Sequence, residues 1–392
     1  MTPDTAISPP IFDAAPREAA PRVAAVIREG CGVPPLTGGP LYPTFKRRLS
    51  DQAFYVAPAL MWCALALRHG GPTVPTAANP AMEAGGLWGE SKSQCLSLFG
   101  PLARKWLAPW IVVERRHGDA FDDARVAEVC AALAQAGVAF PLVTKPDRGY
   151  QGWGVKLAHS PADLAEYLAA LPQGAGLMLQ AYVAYQGEAG VFYVRRPGEA
   201  RGRIASMALT YAPHVLGDGR RTLSALVGDD CVLRKSAEIF AARHGAEWDS
   251  VPEAGRIVPL TETRAARVGA VYRDAISLVT PALEERIDAI ARDIEGFHFG
   301  RFDLRFDTLE RFLEGEDLLI LELNGAGAEM LHIWDGAKTL RQAYASLWRQ
   351  YSYLFEIAAE NIRNGVRPLG LRAMIRLQMR QERLRRCYPP TT

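Results

Sequence analysis

Apolar positions recur along this chain with two periods, and the change from one to the other marks out its elements. The helical spacing of three and four residues runs through Lys92 to Arg104 and through Ala124 to Ala136, the second with Val126, Val129 and Leu133 on one face. Between them "WLAPWIVV" predicts a strand entered from a turn. "FPLVTKPDRGYQGWGVKLA", Phe140 to Ala158, predicts strand, glycine loop, strand: a hairpin with a long tip. Ser160-Pro161-Ala162-Asp163 has a cap, a proline at the first helical position and an acid three residues after the cap, so a helix starts there and runs to about Leu171. Strand-like stretches follow at Gly176 to Ala184, Gly190 to Arg196 and Arg203 to Tyr211. "GDGRRTLSALV" predicts a tight turn and a short helix, and Val232 to His244 and Pro281 to Ile294 predict further helices. Phe299 to Phe306 and Leu318 to Leu323 are the last strands, expected to pair across a surface loop, "DTLERFLEGED"; Ala337 onward is helical. Strands that come in runs, with helices between the runs, predict an α+β fold with mostly antiparallel sheets.

Length adds a division into units, since 392 residues exceed one ordinary core. The expected units are a loosely ordered lead (1–35), a smaller N-terminal α/β domain (36–120), two α+β subdomains (121–186 with the glycine loop, 187–345) and a C-terminal helical segment (346–392). The Ala- and Pro-rich lead lacks the basic start and apolar run of a signal peptide. The most apolar stretch, "FYVAPALMWCALAL" from Phe54 to Leu67, contains Pro58 and at about 14 residues is too short for a bilayer that needs roughly 20; it predicts a buried or surface-lying helix. Composition, 49% hydrophobic and 22% charged, is that of a globular chain. With 45 basic and 43 acidic residues the net charge is +2, which gives no reason to expect nucleic acid as a partner. Six cysteines, none in a CxxC and none with His at zinc spacing, are expected to be reduced thiols of a cytoplasmic protein.

The chemistry starts from "LLILELNG". Glu322 and Asn324 lie two apart on an apolar strand and so share a face. A carboxylate there is costly unless it is paired or bound to metal. The plain alternative is a solvated Glu at a strand end. Asp303, in "GRFDLRF", falls on the neighbouring strand, with Arg301 on its face. Asp, Glu and Asn are the hard-oxygen set that suits magnesium (or manganese) leaning on substrate phosphates, and Arg301 could stabilise a developing oxyanion. Lys145 stands at a strand end before Gly149, Gly152 and Gly154, where a lysine and free backbone N–H groups can reach a polyphosphate; the alternative is an ordinary hairpin with a surface lysine. Glu188 follows a strand whose edge could take an adenine. No Walker A string leads into a helix, and no GxGxxG follows a strand.

Taken in order, the chain reads lysine, lysine and glycine loop, hinge strand, acid, Arg-x-Asp, Glu-x-Asn. This resembles the ATP-grasp superfamily, and within it D-alanine–D-alanine ligase and the cyanophycin/glutathione synthetase-like carboxylate–amine ligases, over roughly Lys92 to Trp334. The resemblance implies an ADP-forming ligase that joins a small-molecule carboxylate to an amine through an acyl phosphate, with ATP and Mg2+ (or Mn2+). It implies phosphate contacts from Lys92 and Lys145, and a flap from Tyr150 to Trp153 over them. Gln180, Ala181 and Val183 would line the adenine, two of them through backbone groups, and Glu188 would hold the ribose. Asp303, Glu322 and Asn324 would hold metal, and Arg301 would face the acyl phosphate. The family hinge starts with an acid where this chain has Gln180, whose amide oxygen could accept from the adenine amino group. Its ribose acid also sits one residue nearer the hinge. A non-catalytic ATP-binding module, acting as sensor or scaffold, is the alternative. "YAPHVLGDGRRTLSALV" resembles the cyanophycin-synthetase-like version, in which His214 and Arg221 could face ligand or merely belong to a surface turn; His332 fits an ordinary loop histidine. In "LRAMIRLQMRQERLRRC", Arg372, Arg376 and Arg380 form a basic stripe beside apolar residues. That pattern suits either a helix packed on its own domain or peripheral contact with an anionic membrane.

Overall fold

Arg301, Asp303 and Arg305 alternate with Phe302, Leu304 and Phe306, and alternate side chains of a strand leave on opposite faces. The apolar three are fully buried and the charged three half-buried, so one strand serves a core on one side and a cleft on the other. The structure, a computed structural model, describes residues 40–115, 118, 122–149, 152–261 and 264–389. The lead at 1–35, Cys31 and Tyr150 lie outside the described residues. The strands are β1 Trp110–Glu114, β2 Leu142–Pro146, β3 Lys156–Ala158, β4 Gly176–Ala181, β5 Gly187–Val194, β6 Arg203–Tyr211, β7 His214–Leu216, β8 Ile257–Pro259, β9 Val271–Asp274, β10 Phe299–Phe306 and β11 Leu318–Asn324. They form a four-stranded sheet of order β1-β4-β2-β3, a five-stranded sheet of order β11-β10-β5-β6-β9 and the pair β7-β8. Every pairing between these strands is antiparallel, as the α+β class requires.

Apolar packing sets the two large sheets in place. On the five-stranded sheet, Phe302, Leu304, Phe306, Leu318 and Ile320 pack against Leu283, Ile287 and Ile290 of the helix Pro281–Arg292. Truncating a phenylalanine such as Phe302 there would cost about 3–5 kcal/mol. On the other side Phe192 and Phe299 meet edge to face at 4.9 Å. They pack with Leu354 and Phe355 of the helix Leu340–Arg363 and with Leu65 of the helix Asp51–His69. The four-stranded sheet packs on Asp123–Gln135, through Val126, Val129 and Leu133, and on Pro161–Ala170, which has the expected Ser160/Asp163 capping box.

Several expectations change. Among the described residues the segment before β1 contains helices and turns but no strand, so no α/β unit stands there. Its Leu96, Phe99 and Leu107 instead enter the main core. β1 joins the four-stranded sheet from ahead of the boundary at 120. The Lys92–Arg104 helix stops at Ser97, because Gly100-Pro101 cannot continue it, and resumes as a short 3-10 turn, Ala103–Trp106. The run between β10 and β11 is not a bare loop. It carries the helix Leu309–Leu313, whose Phe312 is fully buried and stacks on Phe306 at 4.4 Å. The helix Asp51–His69 is closed by a Ser50 cap and by Gly70 at φ 97°, and among the described residues no helix is long and apolar enough to cross a membrane. The C-terminal helix Leu371–Arg385 packs back on the chain through Met374 and Gln381, while Leu371, Ile375 and Met379 stay exposed beside its arginines.

Candidate active site

Four residues of β10 and β11 meet on the cleft face because the ladder between them is irregular. Arg301 pairs with Asn324, and Asp303 with Glu322, but Leu304 then pairs with Ile320, leaving Leu321 opposite no residue. This bulge changes the parity of β11. Leu318 and Ile320 can therefore face the core while Glu322 and Asn324 face the cleft, although all four lie at even spacing. The carbonyl of Leu321 accepts from Lys145 Nζ at 3.1 Å and from Gln180 Nε2 at 3.2 Å, which ties the two sheets together. Arg301 grips Asp303 with Nε to Oδ1 at 2.6 Å and Nη2 to Oδ2 at 2.9 Å, and Asn324 Nδ2 donates to the same Oδ2 at 2.9 Å.

Glu322 is compensated by protein cations, where the sequence suggested that metal would do this. Lys92 Nζ lies 2.9 Å from its Oε1 and also donates to the Gly149 carbonyl at 2.7 Å. Burial alone would raise the Glu322 carboxyl, but Lys92 and Lys145 beside it hold it well below the usual carboxylate range. Lys92 has the mirror-image balance: burial pulls it down, yet Glu322 keeps it above an ordinary lysine. Lys145 is different. Burial dominates and lowers it to about 8, and its Nζ donates to Gln180 Oε1 at 2.9 Å. The oxygen expected to meet adenine is thus taken by Lys145.

The rest of the expected set lines the same cleft, with partners already in place. Gly149, Gly152 and Trp153 line it. Arg267 and Arg385 lie 4.3 and 5.0 Å from the Trp153 ring centre, so cation–π contacts anchor the loop. Ala181 and Val183 lie on the wall, but the Ala181 N–H donates to Pro109 O, and Val183 O accepts from Arg305 Nη1 at 2.5 Å. Glu188 is paired with Arg305 at 3.2 Å and lies 3.8 Å from Arg264. His214, at the start of β7, bonds to Ala212 O, and Arg221, in the surface turn after β7, pairs with Asp218 and Asp229. His332 is buried between Ser206 and Ser346, and burial lowers it to about 4, as a structural histidine.

Sequence reasoning missed five residues of the cleft wall. Arg305 was open to view as the third charged residue in step with Arg301 and Asp303. Glu90, two before Lys92 in "GESK", faces Glu322, and burial raises it to about 7. Arg264 stands beside Glu188. Glu329 and Tyr55 lie at the other end, where Tyr55 OH donates to Glu329 Oε1 at 3.1 Å, and no sequence spacing joins positions that far apart. All these groups open on one cavity of about 1210 Å3, larger than a site for a single small ligand of roughly 300–1,000 Å3. Two carboxylates and an amide oxygen on paired strands fit a divalent ion of the magnesium type. Among the described residues no group of three His, Cys, Asp or Glu offers another metal site.

No family model matches the chain, and no curated protein matches it. Solved structures similar to it include a bifunctional glutathione synthetase from Pasteurella multocida, at 16% identity over 66% of this chain and 36% of that one, with a TM-score of 0.36. A D-alanine–D-alanine ligase from Bacillus anthracis complexed with ATP is similar at 12% identity over 70% of each chain, TM-score 0.35. A VanG D-Ala:D-Ser ligase from Enterococcus faecalis is similar at 14% identity, over 68% of this chain and 62% of that one, TM-score 0.35. The chain thus spans about a third of the length of the first of these.

Proposed function

We propose that this chain is an ADP-forming carboxylate–amine ligase of the ATP-grasp type. The observation that carries the reading is one cleft wall on which three cations, Lys92, Lys145 and Arg301, interleave with three oxygen donors, Asp303, Glu322 and Asn324, between two antiparallel sheets. Such a wall suits phosphoryl transfer, where a protein's work is positioning and charge neutralisation.

The substrate carboxylate oxygen attacks the γ-phosphorus of ATP, the bond to the β–γ bridging oxygen breaks, and ADP leaves. The amine nitrogen then attacks the acyl carbon of the resulting acyl phosphate, the C–O bond to phosphate breaks, and the ammonium proton is lost. Magnesium held by Asp303, Glu322 and Asn324 would neutralise the phosphates. Lys145 and Lys92 bring positive charge to the same phosphates; each is now held by Gln180 or Glu322 and must exchange part of that contact for ATP. Arg301, fixed by Asp303, faces charge that develops at the acyl centre. Gly149, Gly152 and Trp153 keep water off the phosphates. Gln180, Ala181 and Val183 flank the adenine, while Glu188, oriented by Arg305 and Arg264, takes the ribose. No protein nucleophile is required.

The partners are small molecules. The exposed stripe Leu371, Ile375 and Met379 between arginines favours peripheral contact with an anionic membrane as well. The test of function is ADP release from MgATP across pairs of carboxylates and amines. Release that needs both members of a pair supports the ligase. Tight MgATP binding with no release from any pair supports the non-catalytic module instead.

A further inference from the structure

Beyond Arg301 the cleft changes character. Arg301 Nη1 donates to the Glu329 carbonyl at 2.8 Å, so Glu329 stands next to the acyl-transfer centre, and its side chain turns into a wall of aromatic rings. Tyr55 OH donates to one carboxylate oxygen at 3.1 Å and Trp334 Nε1 to the other at 2.8 Å. Trp62 and Tyr351, edge to face at 5.4 Å, line the cavity, and so does Trp88. Both donors to Glu329 are neutral, and among the described residues its carboxylate has no ion-pair partner. Two cations feel its charge, and both are engaged elsewhere. Lys46 sits over the Tyr42 and Trp334 rings at 5.1 and 5.5 Å, and Arg301 holds Asp303.

A half-buried carboxylate with only neutral donors is short of positive charge, and aromatic faces attract a cation that comes between them. Walls built mainly of aromatic ring faces favour an apolar body over a polar one. We propose that the amine substrate carries an apolar alkyl or aryl body, with its ammonium on Glu329 and its body against Tyr55, Trp62, Trp88, Trp334 and Tyr351. This names the substrate class of the ligase site and rests on that reading. The nitrogen end is the end nearer Arg301, and it attacks after giving one proton to the Glu329 carboxylate beside it.

The test is calorimetric titration of the full chain saturated with magnesium and a non-hydrolysable ATP analogue. The probes are phenethylamine, ethanolamine (same charge, no apolar body) and 3-phenylpropionate (same body, opposite charge). Phenethylamine should bind at least about tenfold more tightly than either of the others. Glu329→Gln should weaken it by about tenfold or more, and so should Tyr55→Ala, a change on a half-exposed helix position that tolerates alanine; both variants should keep the nucleotide affinity of the parent. Equal binding of ethanolamine or of 3-phenylpropionate overturns the inference, and so does unchanged phenethylamine affinity in both variants. Nucleotide binding separates the two levels. Loss of analogue binding in the parent protein contradicts the ligase reading itself, whereas a parent that binds analogue but not phenethylamine contradicts only the amine class.

Discussion

Glu322 lies 2.9 Å from Lys92, and that contact decides the effect of neutralising it. An unpaired buried carboxylate gains stability when it becomes an amide. Here Glu322→Gln would remove the largest counter-charge of Lys92 and Lys145, so the ligand-free protein should lose about 3 kcal/mol in a denaturant titration. An unchanged or higher midpoint would mean that the pair contributes nothing. Glu90 behaves oppositely. Its carboxyl is raised from 4.5 to about 7 by burial, so the folded chain holds a proton there that the unfolded chain releases near 4.5. Stability should therefore fall as pH rises from 4.5 to 7. Glu90→Gln should match the parent near pH 4.5 and exceed it by about 3 kcal/mol above pH 7. Parallel stability curves across that window would contradict the assignment. Of these residues Lys145, Arg301, Asp303, Glu322 and Asn324 could be picked from the sequence, because charge on an apolar strand is conspicuous. Glu90, Arg264 and Glu329 could not, since they sit in loops where spacing carries no direction.

Among the elements, β10 was legible to the residue because its alternation is strict. β11 was legible as a strand, but its bulge was not: Leu321 is one apolar residue among several, and only the ladder reveals that it has no partner. β7, β8 and β9, of three or four residues, are too short for a period to show. The loop after β11 depends on a close backbone approach. Ala326 N and Gly327 N donate to Gly85 O and Gly86 O, and a Cβ at Gly325 would fall 2.6 Å from Gly85 O. Gly325→Ala should therefore push this loop off the acyl centre and cut turnover by about tenfold or more, a loss on the order of 1.4 kcal/mol, while MgATP affinity stays within about twofold. Equal losses in both would mean the loop serves the nucleotide. The C-terminal helix makes a separate prediction. Binding to vesicles of phosphatidylglycerol, and not of phosphatidylcholine, should disappear when Arg372, Arg376 and Arg380 become Gln. Absence of binding by the parent protein would remove the membrane from the account.

For the whole molecule, the order of motifs along the chain pointed to two sheets closing on ATP, and packing explains the parts that order left out. The N-terminal segment is absorbed into the main core through Leu96, Phe99 and Leu107, a long-range outcome no local pattern reports. Its helix Asp51–His69 brings Tyr55 to a cleft otherwise built far along the chain. The central claim is that an acyl phosphate forms there. The direct measurement incubates the protein with MgATP, a panel of carboxylates and hydroxylamine as trap, and quantifies ADP together with acyl hydroxamate. The two should appear in equal amounts with an accepted carboxylate, and Arg301→Ala should yield neither while still binding MgATP. ADP without hydroxamate, in the presence of every carboxylate that stimulates its release, would contradict that claim.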